Sequence, residues 1–235
     1  MTRLLFRDDP YVRRSEATVI AVDERGVQLD GTIFYFASGG QPGDRGTLTT
    51  ADGRSMAIAD TVKGASFSEV VHVPVPGGTS LAIGDRLTAE IDWDRRYRHM
   101  RLHTCMHLLC AVVAAPVTGG QIYDDRARLD FNMQGVVLDK SSIEDRLNAL
   151  IEEGHPVATR WITETELAAN PELVRTMSVK PPTGAGSVRL LEIAGVDLQA
   201  CGGTHVANTS EIGRVTIIEM LSKGKQNRRV VVGFA

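Results

Sequence analysis

Residues 18–22 read as a short strand running into the turn Asp23-Glu24-Arg25-Gly26. Val27, Leu29, Ile33 and Tyr35 then recur on a period of two, interrupted by Asp30-Gly31, which predicts more half-buried strand. Asp52-Gly53 is a hairpin signal, and Pro74, Pro76, Gly77 and Gly78 break the pattern again. Short strands punctuated this closely over residues 1–90 predict a small antiparallel β-barrel.

The pattern changes near Asp92-Trp93-Asp94. From residue 94 to residue 115 there is no glycine or proline, Pro116 stops the run, and Asp92 or Asp94 can cap its start, so a long helix is expected. Residues 128–131 read as a strand. Ser141-Ser142-Ile143-Glu144 has the form of a capping box opening a helix to about Glu153, with Gly154 and Pro156 beyond it. A short helix is expected from Thr163, with Glu166 three residues on. Residues 187–193, 213–220 and 230–234 read as strands, the last two joined as a hairpin. The expected fold class is α+β: a small N-terminal antiparallel β-barrel over residues 1–90, then an α+β domain over residues 91–235.

Composition narrows the function classes. A chain of 235 residues that is 43% hydrophobic can bury a core in one large or two small domains, and 5% aromatics means the core leans on Val, Ile, Leu and Ala. A formal net charge of -3 excludes a wholesale polyanion binder, so contact with nucleic acid rests on local patches, Arg95-Arg96-Arg98-Arg101 and Lys223-Lys225-Arg228-Arg229. Three cysteines make no disulfide framework and fit a reducing cytoplasm. Residues 1–14 lack the apolar run of a signal peptide, and no segment approaches a membrane span.

Candidate chemistry gathers in two motifs about a hundred residues apart. His103 and His107 lie four apart on the long helix and stack on one face, where two imidazoles can converge on one ion. Cys201-Gly202-Gly203-Thr204-His205 adds a thiolate and an imidazole on a glycine-rich loop. Cysteine and histidine ligands favour Zn²⁺ over oxygen-seeking Mg²⁺ or Ca²⁺. Four bonds close a structural site; if one candidate, His205 first, stands off, a water can take its place. His99, one turn before His103, is a candidate neighbour of the site rather than a ligand. Cys105 aims away from the metal face and reads, like Cys110, as packing; His72 and His155 carry no signal. The segment Ser38-Gly39-Gly40-Gln41-Pro42-Gly43-Asp44-Arg45-Gly46 is either a ligand-approach loop or an ordinary barrel loop, and it is neither a Walker loop nor a dinucleotide fingerprint.

Taken together, Thr32-Ile33-Phe34-Tyr35, Gly39-Gly40-Gln41-Pro42-Gly43-Asp44-Arg45-Gly46, His103-Thr104-Cys105-Met106-His107, Arg128-Leu129-Asp130-Phe131, Cys201-Gly202-Gly203-Thr204-His205-Val206 and the closing Ser222-Lys223-Gly224-Lys225 with Asn227-Arg228-Arg229 resemble the AlaX alanyl-tRNA editing family. They are also similar to the editing domains of alanyl- and, more distantly, threonyl-tRNA synthetase. The match runs nearly the whole chain in the family's order. It implies a free-standing zinc-dependent deacylase that hydrolyses the ester of mischarged tRNA(Ala), with serine or glycine as the wrong residue, and no ATP-dependent charging. It implies His103, His107, Cys201 and His205 as zinc ligands, Thr32 as reader of the serine hydroxyl, Gly39, Asp130 and Gly202 at the substrate, and Gly40 and Gln41 in the catalytic loop. Phe36, Ala37 and Ser38 depart from the family's glycine and proline after the Phe-Tyr pair. The rival expectations are a non-catalytic zinc-stabilised tRNA-binding module, a zinc hydrolase of small aminoacyl esters, and threonyl-type editing.

Overall fold

Alternating apolar positions close the first ninety residues into a barrel. The computed structural model describes residues 2–66, 69–133, 138–176, 186–224 and 226–235. It divides into two compact units, Met1–Tyr97 and Arg98–Ala235. The first holds β1 (Arg3–Leu4), β2 (Arg14–Asp23), β3 (Gly26–Leu29), β4 (Gly31–Thr32), β5 (Gly46–Thr50), β6 (Ser55–Lys63), β7 (Val70–Pro74) and β8 (Arg86–Ile91). Six of them close in the order β2-β3-β7-β6-β5-β8, and adjacent strands pair antiparallel, with Val22 opposite Val27 and Thr49 opposite Ser55 across the two turns read from sequence. Val19, Val27, Leu29, Leu48, Ile58, Leu87 and Ala89 fill the interior. Each large aliphatic side chain so buried contributes about 1.5–3 kcal/mol.

The period of two does not continue through Ile33 and Tyr35. Beyond β4, residues 33–36 have no strand partner and all four side chains are buried. Ile33 and Phe34 enter the barrel interior, whereas Tyr35 and Phe36 join Phe6 and Val70 in a second cluster. Without a ladder there is no pleat to send alternate residues to opposite faces.

The predicted basic run at residues 95–101 is not a surface patch. Arg96 is fully buried, where it binds both carboxylate oxygens of Asp44 and donates to Ile33 O (2.6 Å) and Pro10 O (3.0 Å). Arg95 is also buried and donates to Gly43 O at 2.6 Å. Arg101 donates to Ile212 O at 2.9 and 2.6 Å and covers the Phe234 ring. These guanidinium groups satisfy backbone carbonyls and a buried carboxylate, which water would otherwise have to do.

The long helix α1 (Trp93–Val113) begins at Asp92, whose Oδ1 accepts the Arg95 N–H at 3.0 Å, so Asp92 and not Asp94 is the cap. It ends at Ala114 in the left-handed region (φ 51°), ahead of Pro116. Residues 102–110 are all buried. After it come β9 (Val117–Ile122), β10 (Arg126–Asn132), α2 (Lys140–Glu153), β11 (Val157–Thr163), α3 (Glu164–Ala169), β12 (Ser187–Ile193), β13 (Asp197–Ala200), β14 (Val215–Ser222) and β15 (Asn227–Phe234). They form antiparallel sheets β14-β15-β10-β9 and β11-β12-β13. The hairpin β14–β15 is as expected, though Lys225 of its turn lies outside the described residues.

Ser141 does not cap α2. Asp139 does, accepting the Ser142 N–H and hydroxyl at 2.7 Å each. Glu144 turns instead to β14, accepting Thr216 Oγ1 at 2.9 Å and Ile217 N at 2.7 Å. A sheet-edge contact 72 residues away has taken the carboxylate that the local pattern assigned to the cap. The Thr163–Glu166 capping box on α3 and the left-handed Gly154 after α2 (φ 72°) are present. Among the described residues no helix is long and apolar enough to cross a membrane.

Candidate metal centre

Four side chains converge in the second unit. His103 and His107 come from α1. Cys201 and His205 come from the loop that follows the β12–β13 hairpin. One ligand atom from each lies within 4.8 Å of every other. Cys201 Sγ is 3.2 Å from His205 Nε2 and 3.5 Å from His103 Nε2. The imidazole centroids are 4.3 Å (His103–His205), 5.0 Å (His107–His205) and 5.4 Å (His103–His107) apart. This set can hold a metal ion.

Neighbours fix the ring orientations. Thr104 spends its one hydroxyl proton on Met100 O (2.9 Å). Toward His205 Nδ1, at 3.3 Å, it is therefore the acceptor, so Nδ1 carries the proton and Nε2 presents its lone pair to the cluster. The buried Arg189 of β12 donates to Gly203 O at 2.6 Å, and the Cys201 N–H bonds Arg189 O at 3.0 Å, which pins the glycine loop to the hairpin. His99 is not in the cluster; its Nε2 lies 2.9 Å from Asp124 Oδ1.

Electrostatics favour cation binding. Burial opposes a thiolate, yet the His103, His205 and His107 imidazoles hold the Cys201 thiol well below its usual range. Burial alone would lower His107, but the Cys201 thiolate and Asp197 outweigh it and raise its pKa to about 9. Burial, then His103, holds His205 well below the ordinary imidazole range. Metal binding to such a set is coupled to loss of protons from its thiol and imidazoles. Cys105 and Cys110 stand apart: burial pushes both thiols up to about 12 and leaves them inert.

The other sequence candidates fall in both units. In the first, Thr32 is fully buried. His72 Nδ1 lies 2.9 Å from Val27 O, an acceptor only, so Nδ1 holds the ring proton and His72 Nε2 accepts from the Thr32 hydroxyl at 2.8 Å. Thr32 Oγ1 in turn accepts the Phe34 N–H at 3.0 Å. Gly39 and Gly40, at φ 59° and 86°, form a tight two-residue turn closed by Gln41 N–H to Ser38 O (2.9 Å) and Ser38 N–H to Gln41 O (3.1 Å). The Gln41 backbone amide is thus spent within the turn, and the residue is buried. Gly43 is obligatory, because a Cβ there would meet Thr61 O at 2.0 Å. In the second unit Gly202 has no atom within 4 Å of where a Cβ would sit. Asp130, in β10, is gripped by Arg229 in a two-bond fork (2.7 and 2.8 Å) and by Arg128 (2.8 Å), which hold its carboxyl below the usual range.

Sequence reasoning missed Thr104, Arg189, Asp197 and His72. Thr104 carried one signal, its place inside the histidine motif. Arg189 reaches Gly203, His72 reaches Thr32 and Asp197 faces His107 from separate elements, which leaves no local spacing to read.

The family model described as the threonyl and alanyl tRNA synthetase second additional domain matches residues 188–231, and that of the class II (A) tRNA synthetases matches residues 10–95. Alanyl-tRNA editing protein AlaX-M of Methanosarcina acetivorans is 38% identical over 98% of both chains. AlaX-M of Saccharolobus solfataricus is 33% identical over the same shares. Alanine–tRNA ligase of Sulfurisphaera tokodaii is 35% identical over 93% of this chain but only 25% of its own length. The motifs that meet in the metal cluster are therefore carried by a chain matching AlaX-M proteins end to end, and it belongs to the alanyl-tRNA editing protein family.

Proposed function

We propose that this chain is an aminoacyl-tRNA deacylase that acts in trans in the cytoplasm, hydrolysing the ester of mischarged tRNA(Ala), with seryl-tRNA(Ala) the main substrate and glycyl-tRNA(Ala) a second. The observation that supports it is the convergence of four metal-ligand side chains in a chain whose relatives named as editing proteins span its whole length. The ligase relative matches over a quarter of its length, so charging activity is not carried over.

The ion we assign is Zn²⁺. Imidazole nitrogen and cysteine sulfur are donors that Zn²⁺ prefers, and His103, His107, Cys201 and His205 would hold it. Bound there, Zn²⁺ supplies a positive centre that can anchor the substrate, polarise the ester carbonyl or acidify a water.

Discrimination falls to Thr32. Its hydroxyl proton is committed to His72 and one lone pair to Phe34 N–H, which leaves a lone pair able to accept from a serine hydroxyl and nothing to offer alanine. Because Thr32 is fully buried, the contact requires its cover to move on binding. Gly39 in the first unit and Gly202 in the second each have open space where a Cβ would sit, so the backbone amides at Gly39 and Gly40, or alternatively at Gly202, are the candidates to meet a developing oxyanion. The Gln41 role passes to its side chain. Asp130 acts by fixing Arg128 and Arg229, and these, with Lys223 and Arg228, meet the tRNA phosphates.

One observation favours a second reading. Four protein donors suffice to close zinc's coordination, as in a non-catalytic, zinc-stabilised tRNA-binding module. The deciding experiment is deacylation of seryl-, glycyl- and alanyl-tRNA(Ala) by zinc-loaded and chelator-stripped protein. Zinc-dependent loss of serine with alanine spared supports trans-editing. Folded, zinc-loaded protein that binds tRNA but cleaves none of the three supports the binding module, and cleavage of free seryl esters at an equal rate supports a small-ester hydrolase.

A further inference from the structure

A buried carboxylate that is not in the ligand set stands beside it. Asp197 lies in β13, four residues before Cys201, with its side chain 1% exposed. Oδ2 lies 3.7 Å from His107 Nδ1 and accepts Gln199 Nε2 at 2.5 Å, while Oδ1 lies 2.9 Å from Arg175 Nη2. His107 Nδ1 is itself buried and makes no hydrogen bond. A carboxylate this far from water is retained where nearby positive or polar groups offset its desolvation. Arg175 and Gln199 do part of that, and the remaining direction of approach is toward a ligand histidine.

We infer that Asp197 is a positioning residue for the metal centre: it accepts the Nδ1–H of His107, turns His107 Nε2 toward the cluster, and is itself held by Arg175 and Gln199. The gap closes by a shift of about 0.8 Å to hydrogen-bond length. Two of the three histidines would then have their outer nitrogen committed, His205 to a hydroxyl and His107 to a carboxylate. The carboxylate does more than orient. It makes the imidazole a better donor, and with the Cys201 thiolate it brings a second negative charge to a dication. Arg175, whose side chain is 31% exposed and also donates to Cys110 O at 3.3 Å, ties this arrangement to the end of α1. The rival account is that Asp197 merely pairs with Arg175 to brace β13.

This inference rests on the zinc reading above, and the test separates the two. Zinc affinity is measured by chelator competition for the wild type, Asp197→Ala, Asp197→Asn and Arg175→Met. In the zinc-loaded proteins the His107 tautomer is read from its ring ¹⁵N shifts. Asp197→Ala is expected to weaken zinc binding by about 10–100-fold and to lose the pure Nδ1–H signature. Asp197→Asn, which keeps an acceptor oxygen without the charge, is expected to retain the tautomer and lose affinity by about tenfold. Arg175→Met, which breaks the brace alone, is expected to keep the tautomer. Wild-type protein that takes up no zinc overturns the metal reading and this inference with it. Wild-type protein that binds zinc, with Asp197→Ala and Asp197→Asn matching it in affinity and tautomer, overturns this inference alone. If Asp197→Ala does not fold, the Asp197→Asn affinity decides.

Discussion

Acid should destabilise this protein through His72. Burial lowers the His72 pKa from 6.5 to about 4 in the folded chain. The unfolded chain therefore binds more protons at this residue between those values, and stability is lost as pH falls through the window. The full loss is about 3 kcal/mol below pH 4, and about 2 kcal/mol is already gone at pH 5. The structural cause is specific: a protonated ring would have to donate from Nε2 into the Thr32 hydroxyl, which would then have to give up its role as donor. The perturbation is His72→Gln, which keeps one donor and one acceptor but cannot titrate. Urea unfolding of both proteins at pH 7, 6 and 5 gives two stability curves, and contributions from other titrating groups cancel in their difference. The wild type's advantage over the variant should shrink by about 2 kcal/mol from pH 7 to pH 5. An advantage that stays constant across that range would refute the buried, neutral assignment of His72.

Three further outcomes follow from the same contacts. Thr32→Val should cost about 1–3 kcal/mol for each stranded partner, His72 Nε2 and Phe34 N–H, in denaturant titration. In the deacylation assay it should also lower seryl relative to alanyl hydrolysis, and an unchanged ratio removes Thr32 from discrimination. Arg96→Met should destabilise by about 3–5 kcal/mol because Asp44 is left buried and unpaired; adding Asp44→Asn should recover part of the melting temperature, and no recovery would place the damage in packing. Asp139→Ala should lower the melting temperature by about 2–4 °C while Ser141→Ala leaves it unchanged; the reverse order would restore the local capping pattern.

The elements legible in the sequence are those whose cause is local. The helix α1 announces itself by a glycine- and proline-free run, and its histidine pair by helical spacing. Likewise, the Thr163 cap lies three residues from its partner. What escaped reading was decided at a distance. The strand β9 carries Gly119-Gly120, which look like a break, but both glycines are paired with β10, opposite Asp130 and Leu129, and the register shifts only beyond them, at Thr118. The strand β11 is mostly exposed, so no apolar alternation marks it. The four side chains that converge were readable because cysteine and histidine in these motifs carry their chemistry with them. Their supports were not: Thr104 meets His205 across 101 positions, and Arg96 meets Asp44 across 52. An arginine run reads as surface charge until the fold supplies a buried carboxylate.

If the glycine loop of the barrel unit lines the substrate, as proposed above, its packing limits where selectivity can be retuned. Gly43 sits against Thr61 O with no room for a methyl group, and Phe36 is wedged edge-on to Phe6 and stacked with Tyr35. Both positions should be dead in a randomised library, through steric clash at one and a lost aromatic contact at the other. Ala37 and Ser38 are exposed, and the bonds that hold them use their backbone atoms, to Thr61 O, Gln41 and the Tyr35 hydroxyl, so their side chains are free to vary. Variation that changes which amino acid is cleaved, whether by laboratory selection or by drift among relatives, should accumulate at 37 and 38 and stay silent at 36 and 43.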